Sequence, residues 1–494
     1  IGRVVGVYEA PAYQIGIPTD VTERHFIVRI AYPWHNFGAQ FSMMLSTVIG
    51  NISSSGKVKL IDLEFPKSFL AEMKGPKFGV PGIRELLGVY DRPLLNNMIK
   101  PCIGLTPDKT AELAYEAAVG GVDVIKDDEL VCDPPFCRLE DRVKAVMEAI
   151  KRADEVKGEK TLYAFNITAP AMQMRDNAYR AIDAGANALM VNFASCGLDT
   201  TRMITEDPNI NVPILAHSDY TGAQYESEWS GLSATLIGAK LPRLAGLDMV
   251  IGLTPYGKFP MMMDTFVNMG IQMLAPLGHI KPVFPMPGGG TTQGHIEDVI
   301  HKFGKDVMIA AGGAIHGHPM GPAAGARAFR QGIDAVCAGK SLEEAGQEYE
   351  ELGVALKLWG IYSEAKHGIF DVKGGDTNRH PAPFNGAGCF EPQGGTAMIR
   401  HVYLIRLKDR SRAQECAEKI CSLRQHIPEL HRVEVGLDFV GAPASYDLIE
   451  ICEFLTQHDF EIFTDHPYHA EIRKYIAAVK QDAVKVDYLV PEDA

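Results

Sequence analysis

Long apolar runs are missing from this 494-residue sequence. None reaches the ~20 residues that a bilayer-spanning helix needs, so no membrane segment is expected. Basic charge is also in short supply: 48 Lys and Arg face 62 Asp and Glu, a formal net charge of −14. That balance argues against a nucleic-acid partner, because phosphate binding wants a basic surface. Cysteine is sparse and unpatterned. There are nine, an odd number, with no CxxC pair, and Cys416 and Cys421 lie five apart. This excludes a disulfide framework and a zinc site, and fits reduced thiols in a cytoplasmic protein. No basic-then-apolar leader stands at the start, which supports the same location. The rest is the composition of a globular enzyme, 46% hydrophobic and 22% charged, long enough for two to four domains.

Four segments differ in texture. Residues 1–93 mix strand-like runs such as Arg24–Ala31 with a helical stretch, Gln40–Gly50, and end in the breaker-rich Lys74–Pro93: an α+β domain. Residues 94–365 repeat one unit, an apolar β-rich run ending in polar or Gly residues and followed by an Ala-rich helical stretch. Eight such runs are predicted: Asn97–Gly104, Val122–Glu129, Leu162–Ala169, Ala188–Phe193, Val212–Ser218, Leu247–Thr254, Lys281–Gly288 and Val307–Ala314. Apolar strands alternating with helices indicate a parallel sheet covered on both faces, and eight in succession favour a closed (β/α)8 TIM barrel, capped by helices within Ser341–Ser363. Residues 366–397 are dense in Gly, Pro and Asn and read as a linker. Residues 398–494 restart as a small ferredoxin-like α+β unit: strand Ile399–Leu407, helix Arg412–Gln425, strands Val433–Leu437 and Asp447–Phe454, helices to Val479, and strand Ala483–Val490. Its MIRHVYLIRLK, IPELHRVEVG, YDLIEICEF and DHPYH segments resemble the stress-responsive A/B barrel family, in which two copies pair their sheets; the resemblance implies dimerisation.

Polar side chains gather where the barrel runs end: Lys126, Asp128, Glu129, Asn166, Asn192, His217 and Ser218. That is the C-terminal barrel face, where such folds place chemistry; Asn192 reads as an ordinary loop residue. The sharpest motif is GGVDVIKDDE, Gly120–Glu129. Alternate side chains of a strand share a face, so Lys126 and Asp128 point into the barrel mouth, and Glu129 at the strand end can join them. A plain salt-bridge cluster is one reading. A hard-cation site is the other, because a neutral lysine that takes up CO2 becomes a third anionic oxygen donor suited to Mg²⁺.

This motif is very similar to the activation motif of the RuBisCO superfamily, and the resemblance extends over residues 20–365. It implies a carbamate on Lys126 and Mg²⁺ held by Lys126, Asp128 and Glu129. Lys100 in NMIKPCIGLTP resembles the lysine that assists enolisation. His217 in ILAHSDY falls at the active-site histidine, and Lys258 in LTPYGKF at the mobile-loop lysine, for which a solvated loop charge is the alternative. PGGGTT and AAGGAIHGHPMG fall at the phosphate-binding turns, which implies a cradle at Gly289, Gly290, Gly312 and Gly313. Asn51 in STVIGN falls at the residue that reaches the partner subunit's site, which implies a homodimer or a higher homo-oligomer.

The departures narrow the function. The carboxylases' second lysine is Cys102 here, and the arginine after the histidine is Ser218. The later histidine is Ile251, and Pro287 and Gly288 stand where a serine precedes the glycines. A second phosphate would lack donors, and a buried phosphate without partners is costly. The expected substrate is therefore a singly phosphorylated keto sugar or sugar acid, not ribulose bisphosphate. Two enzyme readings follow. One is decarboxylation of a 3-oxo-isoapionate 4-phosphate-type acid, with Lys258 on the departing carboxylate. The other is the 2,3-diketo-5-methylthiopentyl-1-phosphate enolase of methionine salvage, with Lys57 or Lys59 in GKVKLIDLEF as base. A third reading is a non-catalytic sensor or scaffold working through the C-terminal domain.

Overall fold

The computed structural model describes residues 2–17, 19, 21–257, 259–362, 398–438 and 446–490. The expected linker at 366–397 and Lys258 lie outside the described residues. The chain forms two compact units, Ile1–Cys389 and Phe390–Ala494. Among the described residues no helix is long and apolar enough to cross a membrane.

The first unit opens with a two-stranded antiparallel hairpin, β1 (Arg3–Glu9) and β2 (Phe26–Ala31). The helical stretch foreseen at Gln40–Gly50 is an α-helix, Phe41–Leu45, running into a π turn, Ser46–Gly50. A short strand, β3 (Lys59–Leu60), pairs in parallel with β9 (Gly231–Leu232), tying this segment to the loop after the fifth barrel strand.

Eight parallel strands then build a near-closed barrel: β4 (Leu94–Met98), β5 (Val124–Lys126), β6 (Leu162–Asn166), β7 (Ala188–Asn192), β8 (Ile214–His217), β10 (Met249–Leu253), β11 (Phe284–Gly288) and β12 (Met308–Ala311). The strands are apolar on both faces because each face has its own core. Leu94, Val124, Leu162, Met190, Leu215, Met249, Phe284 and Met308 fill the interior. Leu95, Ile125, Tyr163, Leu189, Val250 and Ile309 pack under the surrounding helices.

The first strand is a correction. It spans Leu94–Met98, not Asn97–Gly104. Pro101 has no N–H to give a ladder and Gly104 sits at φ +92°, so the chain turns after Met98. Asn96 and Asn97, polar in sequence, are fully buried and donate to the carbonyls of Val124 and Ala311 at 3.2 Å each. The barrel is capped by helices Leu342–Glu348 and Glu350–Trp359, the first started by a reciprocal Ser341–Glu344 capping box.

The second unit is a four-stranded antiparallel sheet in the order β14 (Arg432–Leu437), β15 (Leu448–Phe454), β13 (Met398–Leu407) and β16 (Lys480–Val490). Helices Ala413–Cys421, Gln457–Asp465 and Pro467–Val479 cover one face, over a core that includes Ile399, Ile405, Cys452, Phe454 and Phe463. The helix expected over Arg412–Gln425 is broken into a 3-10 turn, Arg410–Arg412, and two segments, Ala413–Cys421 and Leu423–His426. No described cysteine is in a disulfide.

Candidate active site at the C-terminal end of the barrel

Strand alternation sorts the KDDE acids. Asp127 turns outward, where its carboxylate accepts from Arg142 at 3.1 Å, from the Tyr163 hydroxyl at 2.8 Å and from the backbone N–H of Asn166 at 2.9 Å. It is a structural anchor for the second and third strands. Lys126 turns inward and is fully buried. Its amine donates to the carbonyl of Asp127 at 2.7 Å and to Glu129 Oε2 at 3.1 Å. Asp128 accepts from the amine of Lys100 at 2.9 Å, so both inward acids hold a lysine.

His217, at the end of β8, completes the cluster, with Nε2 3.2 Å from Glu129 Oε2 and Nδ1 3.6 Å from Asp219. Burial alone would raise the Glu129 carboxyl. The His217 contact and the Lys126 charge overcome it and hold Glu129 far below the usual carboxylate range. Burial pushes the Asp219 carboxyl above its ordinary value. At Lys100 burial pulls the ammonium down, but the Cys102 thiol and Asp128 outweigh it, and the group sits above the usual lysine range.

Asn166 and Asn192 each donate a side-chain N–H to the backbone carbonyl of Glu129 at 3.0 Å. Asn192 is thus part of the site's frame and not the ordinary loop residue that its sequence context suggests. Together the two amides fix the turn that carries Glu129, and the Oδ1 of Asn192 is buried without a partner.

The glycine turns lie alongside. Gly289 and Gly290 have φ of +82° and +97°. A Cβ on Gly257 would fall 2.1 Å from the Gly289 carbonyl oxygen, so the loop leading to position 258 rests directly on this turn. A Cβ on Gly312 would sit 3.3 Å from Lys100 Cε. Gly313 starts the short helix Gly313–His316. On the side where a second phosphate would need donors, Ser218 spends its hydroxyl on the Ile251 carbonyl, and Ile251 packs within 3.1 Å of where a Cβ on Gly288 would be.

Lys100, Lys126, Asp128, Glu129 and His217 therefore come together. Asn51 does not join them: it is exposed at the start of the 3-10 turn Asn51–Ser55 and takes no part in the cluster's hydrogen bonds. Lys57 pairs with Glu23 at 2.6 Å, and Lys59 donates to the carbonyls of Tyr225 and Ser227. One acid was not foreseen. Glu129, His217 and Asp219 each offer a ligand atom within 4.8 Å of the others, the one such group among the described residues. An acid two positions after a site histidine was the available signal.

The donor set fits a hard dication. Glu129 already meets Lys126, and Asp128 stands on the same strand end, held by Lys100; a carbamate on the buried Lys126 amine would make three anionic oxygen donors with no cation left between Lys126 and Glu129.

The comparisons identify the family of each part of the chain. Residues 79–359 match the ribulose bisphosphate carboxylase large chain catalytic domain, residues 3–69 its N-terminal domain, and residues 399–490 the stress responsive A/B barrel domain. A ribulose bisphosphate carboxylase-like protein of Archaeoglobus fulgidus is 54% identical over 361 residues, 72% of this chain and 83% of the relative. A 2,3-diketo-5-methylthiopentyl-1-phosphate enolase of Bacillus pumilus is 41% identical, over 73% of this chain and 87% of its own. The crystal structure of a rubisco-like protein (MtnW) from Alicyclobacillus acidocaldarius superposes with a TM-score of 0.68 at 38% identity, over 73% of this chain and 89% of that one. With that barrel, that cluster and these relatives, the chain belongs to the RuBisCO-like proteins of the RuBisCO large-chain family, and carries a stress-responsive A/B barrel domain at its C-terminal end.

Proposed function

We propose that this protein is a Mg²⁺-dependent enzyme that forms an enediolate or enolate from a singly phosphorylated keto substrate, with decarboxylation of a 3-oxo-isoapionate 4-phosphate-type acid as its reaction. The observation that carries the class is the joining of Lys126, Asp128, Glu129, Lys100 and His217 in one buried cluster. Lys126 would lose a proton and bond to CO2 through its nitrogen; the resulting carbamate, Asp128 and Glu129 would hold the metal. When bound, Mg²⁺ supplies positive charge opposite the oxygen on which negative charge develops. Lys100 would move the substrate proton, and His217 would hold its oxygen. Gly289, Gly290, Gly312 and Gly313 would cradle the phosphate through backbone N–H groups. The fate of Ser218 and Ile251 supports a single phosphate.

In the decarboxylation the bond from carboxylate carbon to the α-carbon breaks, CO2 leaves, and the electron pair passes to the enolate. Lys258 would grip the carboxylate before it leaves. The names of the relatives favour a second reading, enolisation of a diketone phosphate, which also begins with an enolate but offers Lys258 no carboxylate. The two are separated by measuring CO2 release from a phosphorylated 3-oxo sugar acid beside enolisation of the diketone phosphate. Lys258→Met should lower the first by at least ~10²-fold in kcat/KM, roughly 2.7 kcal/mol. Turnover of the diketone alone, unchanged in Lys258→Met, replaces the decarboxylase with the enolase. Binding without turnover of either leaves the sensor reading.

The active unit is proposed to be a homodimer, with Asn51 completing the partner's site. The hairpin β1–β2 leaves Val4, Val7, Phe26 and Val28, which share one face by register, about half exposed, an apolar face that fits a covered surface better than a wet one. Sedimentation showing a fully active monomer at assay concentration overturns this.

A further inference from the structure

The cluster contains a residue with no role so far, Cys102. It stands where the carboxylases have a second lysine, and its side chain turns back onto the first. The Lys100 amine donates to Cys102 Sγ at 3.0 Å and to Asp128 Oδ2 at 2.9 Å. The stem of Lys100 is confined as well, because Gly312 approaches it so closely that a Cβ there would lie 3.3 Å from Cε and 3.2 Å from the Met98 carbonyl oxygen. Lys100 is therefore held at three points: its stem against Gly312, its head between a carboxylate and a sulfur.

These contacts are not equivalent during turnover. On the proposed function, on which this inference rests, Asp128 belongs to the metal. A carboxylate that held a dication would have less charge to offer an ammonium 2.9 Å away, and the Lys100–Asp128 contact would weaken. The sulfur also hydrogen-bonds Asp128, but a thiol can donate there and still accept from Lys100, so its hold on the amine does not depend on the Lys100–Asp128 contact. Glu129 is taken by Lys126 and His217, so no other side chain of the cluster makes a hydrogen bond to the Lys100 amine.

We infer that Cys102 is the positioning residue for Lys100: its sulfur keeps the lysine amine aimed at the substrate carbon once Asp128 is engaged by the metal. The sulfur's polar partners are Lys100 and Asp128, so it acts on the reaction through Lys100. A lysine at position 102 could not do this, because two ammonium groups at 3 Å repel. The exchange of lysine for cysteine thus turns a second cation into an acceptor for the first, in keeping with a site that has one phosphate fewer to neutralise.

The test uses the full chain and two substitutions. Cys102→Ser keeps an acceptor in place, whereas Cys102→Ala removes it. Cys102→Ala should lower kcat about tenfold with KM within about twofold, as expected when one positioning contact is lost. Cys102→Ser should restore at least half of the wild-type kcat. A second readout needs no turnover: pyridoxal 5′-phosphate, an aldehyde carrying one phosphate, is trapped on lysine with borohydride, and the Lys100 peptide is followed by mass spectrometry. Lys100 labelling should fall in Cys102→Ala and persist in Cys102→Ser. If wild type turns over neither proposed substrate but the labelling depends on residue 102 as stated, the proposed function falls and the role of Cys102 stands. The role is overturned by equal kcat and labelling in Cys102→Ala and wild type, by Cys102→Ser failing like Cys102→Ala, or by no labelling of Lys100 in wild type.

Discussion

The two ends of the barrel both bury charge, and they do it with different cations. At the N-terminal end Arg92 grips Asp123 with two bonds of 2.8 Å, and Asp123 also accepts from the Leu95 N–H. Arg330 holds Glu159 in the same two-pronged way, at 2.9 and 3.1 Å. Asp248 accepts three backbone N–H bonds, from Phe78, Gly79 and Ile214. At the C-terminal end Arg142 holds Asp127 on the outer side of the strand, but the cations that face the barrel mouth are Lys100 and Lys126, each meeting its carboxylate through one bond. The contrast is chemical. A guanidinium stays charged and fits a carboxylate in one planar geometry, so an arginine pair is a fixed joint. An amine is a point charge that can lose its proton, move or react with CO2. One end is built to stay as it is and the other to be rearranged by metal and substrate.

The strongest way to break that contrast is to remove one group from each end. Lys126→Ala should lower kcat by at least ~10³-fold, roughly 4 kcal/mol of transition-state stabilisation, while the melting temperature changes little. Wild-type turnover in that variant would remove Lys126 from the site altogether. Asp123→Ala should do the reverse. It leaves Arg92, which is 6% exposed, with only Glu159 at 3.7 Å and the Pro93 carbonyl, at a cost of up to roughly 3–5 kcal/mol of folding stability, with kcat per folded molecule unchanged. Urea unfolding of the isolated variant, beside its specific activity, checks both halves. A loss of activity without a loss of stability contradicts the assignment of that end as purely structural.

What could be read from the sequence follows the same division. The barrel was legible because its strands are apolar on both faces, and KDDE was legible because alternation puts Lys126 and Asp128 on one side. The first strand was placed three residues late at its start and six at its end: the polar Asn96 and Asn97 do not read as strand interior, yet they lie inside it, their side-chain N–H groups taken by neighbouring carbonyls. The frame of the site was hidden for a related reason. Asn166, Asn192, Cys102 and Asp219 work through contacts with residues distant in sequence or through a turn, and no periodicity announces such contacts. Asp127 is the useful negative case. It is chemically identical to Asp128, yet its one-residue offset sends it to Arg142 and Tyr163.

The smallest expected effect sharpens the contrast through pH. His316 stands next to the glycine turn at the C-terminal end, its Nε2 3.1 Å from Asn97 Oδ1 and its Nδ1 buried without a partner. Burial first, and then the nearby charge of Lys100, pull its pKa down from 6.5 to about 4. Asp248 at the other end is shifted oppositely, pushed by burial from 3.8 up to about 6 against its backbone donors. The signs follow from linkage. The folded pKa of His316 is depressed, so the stability it contributes is complete above about pH 6.5 and is lost as pH falls towards 4. The folded pKa of Asp248 is raised, so its contribution is complete below about pH 4 and is lost as pH rises through 6. Between these limits the two groups oppose each other. His316→Phe removes one side of the balance. Its unfolding free energy should fall between pH 4.5 and pH 7 relative to wild type, by on the order of 1–2 kcal/mol. Urea titrations at the two pH values measure the difference, and parallel changes in variant and wild type would show that His316 titrates in the folded protein as it does in the unfolded chain.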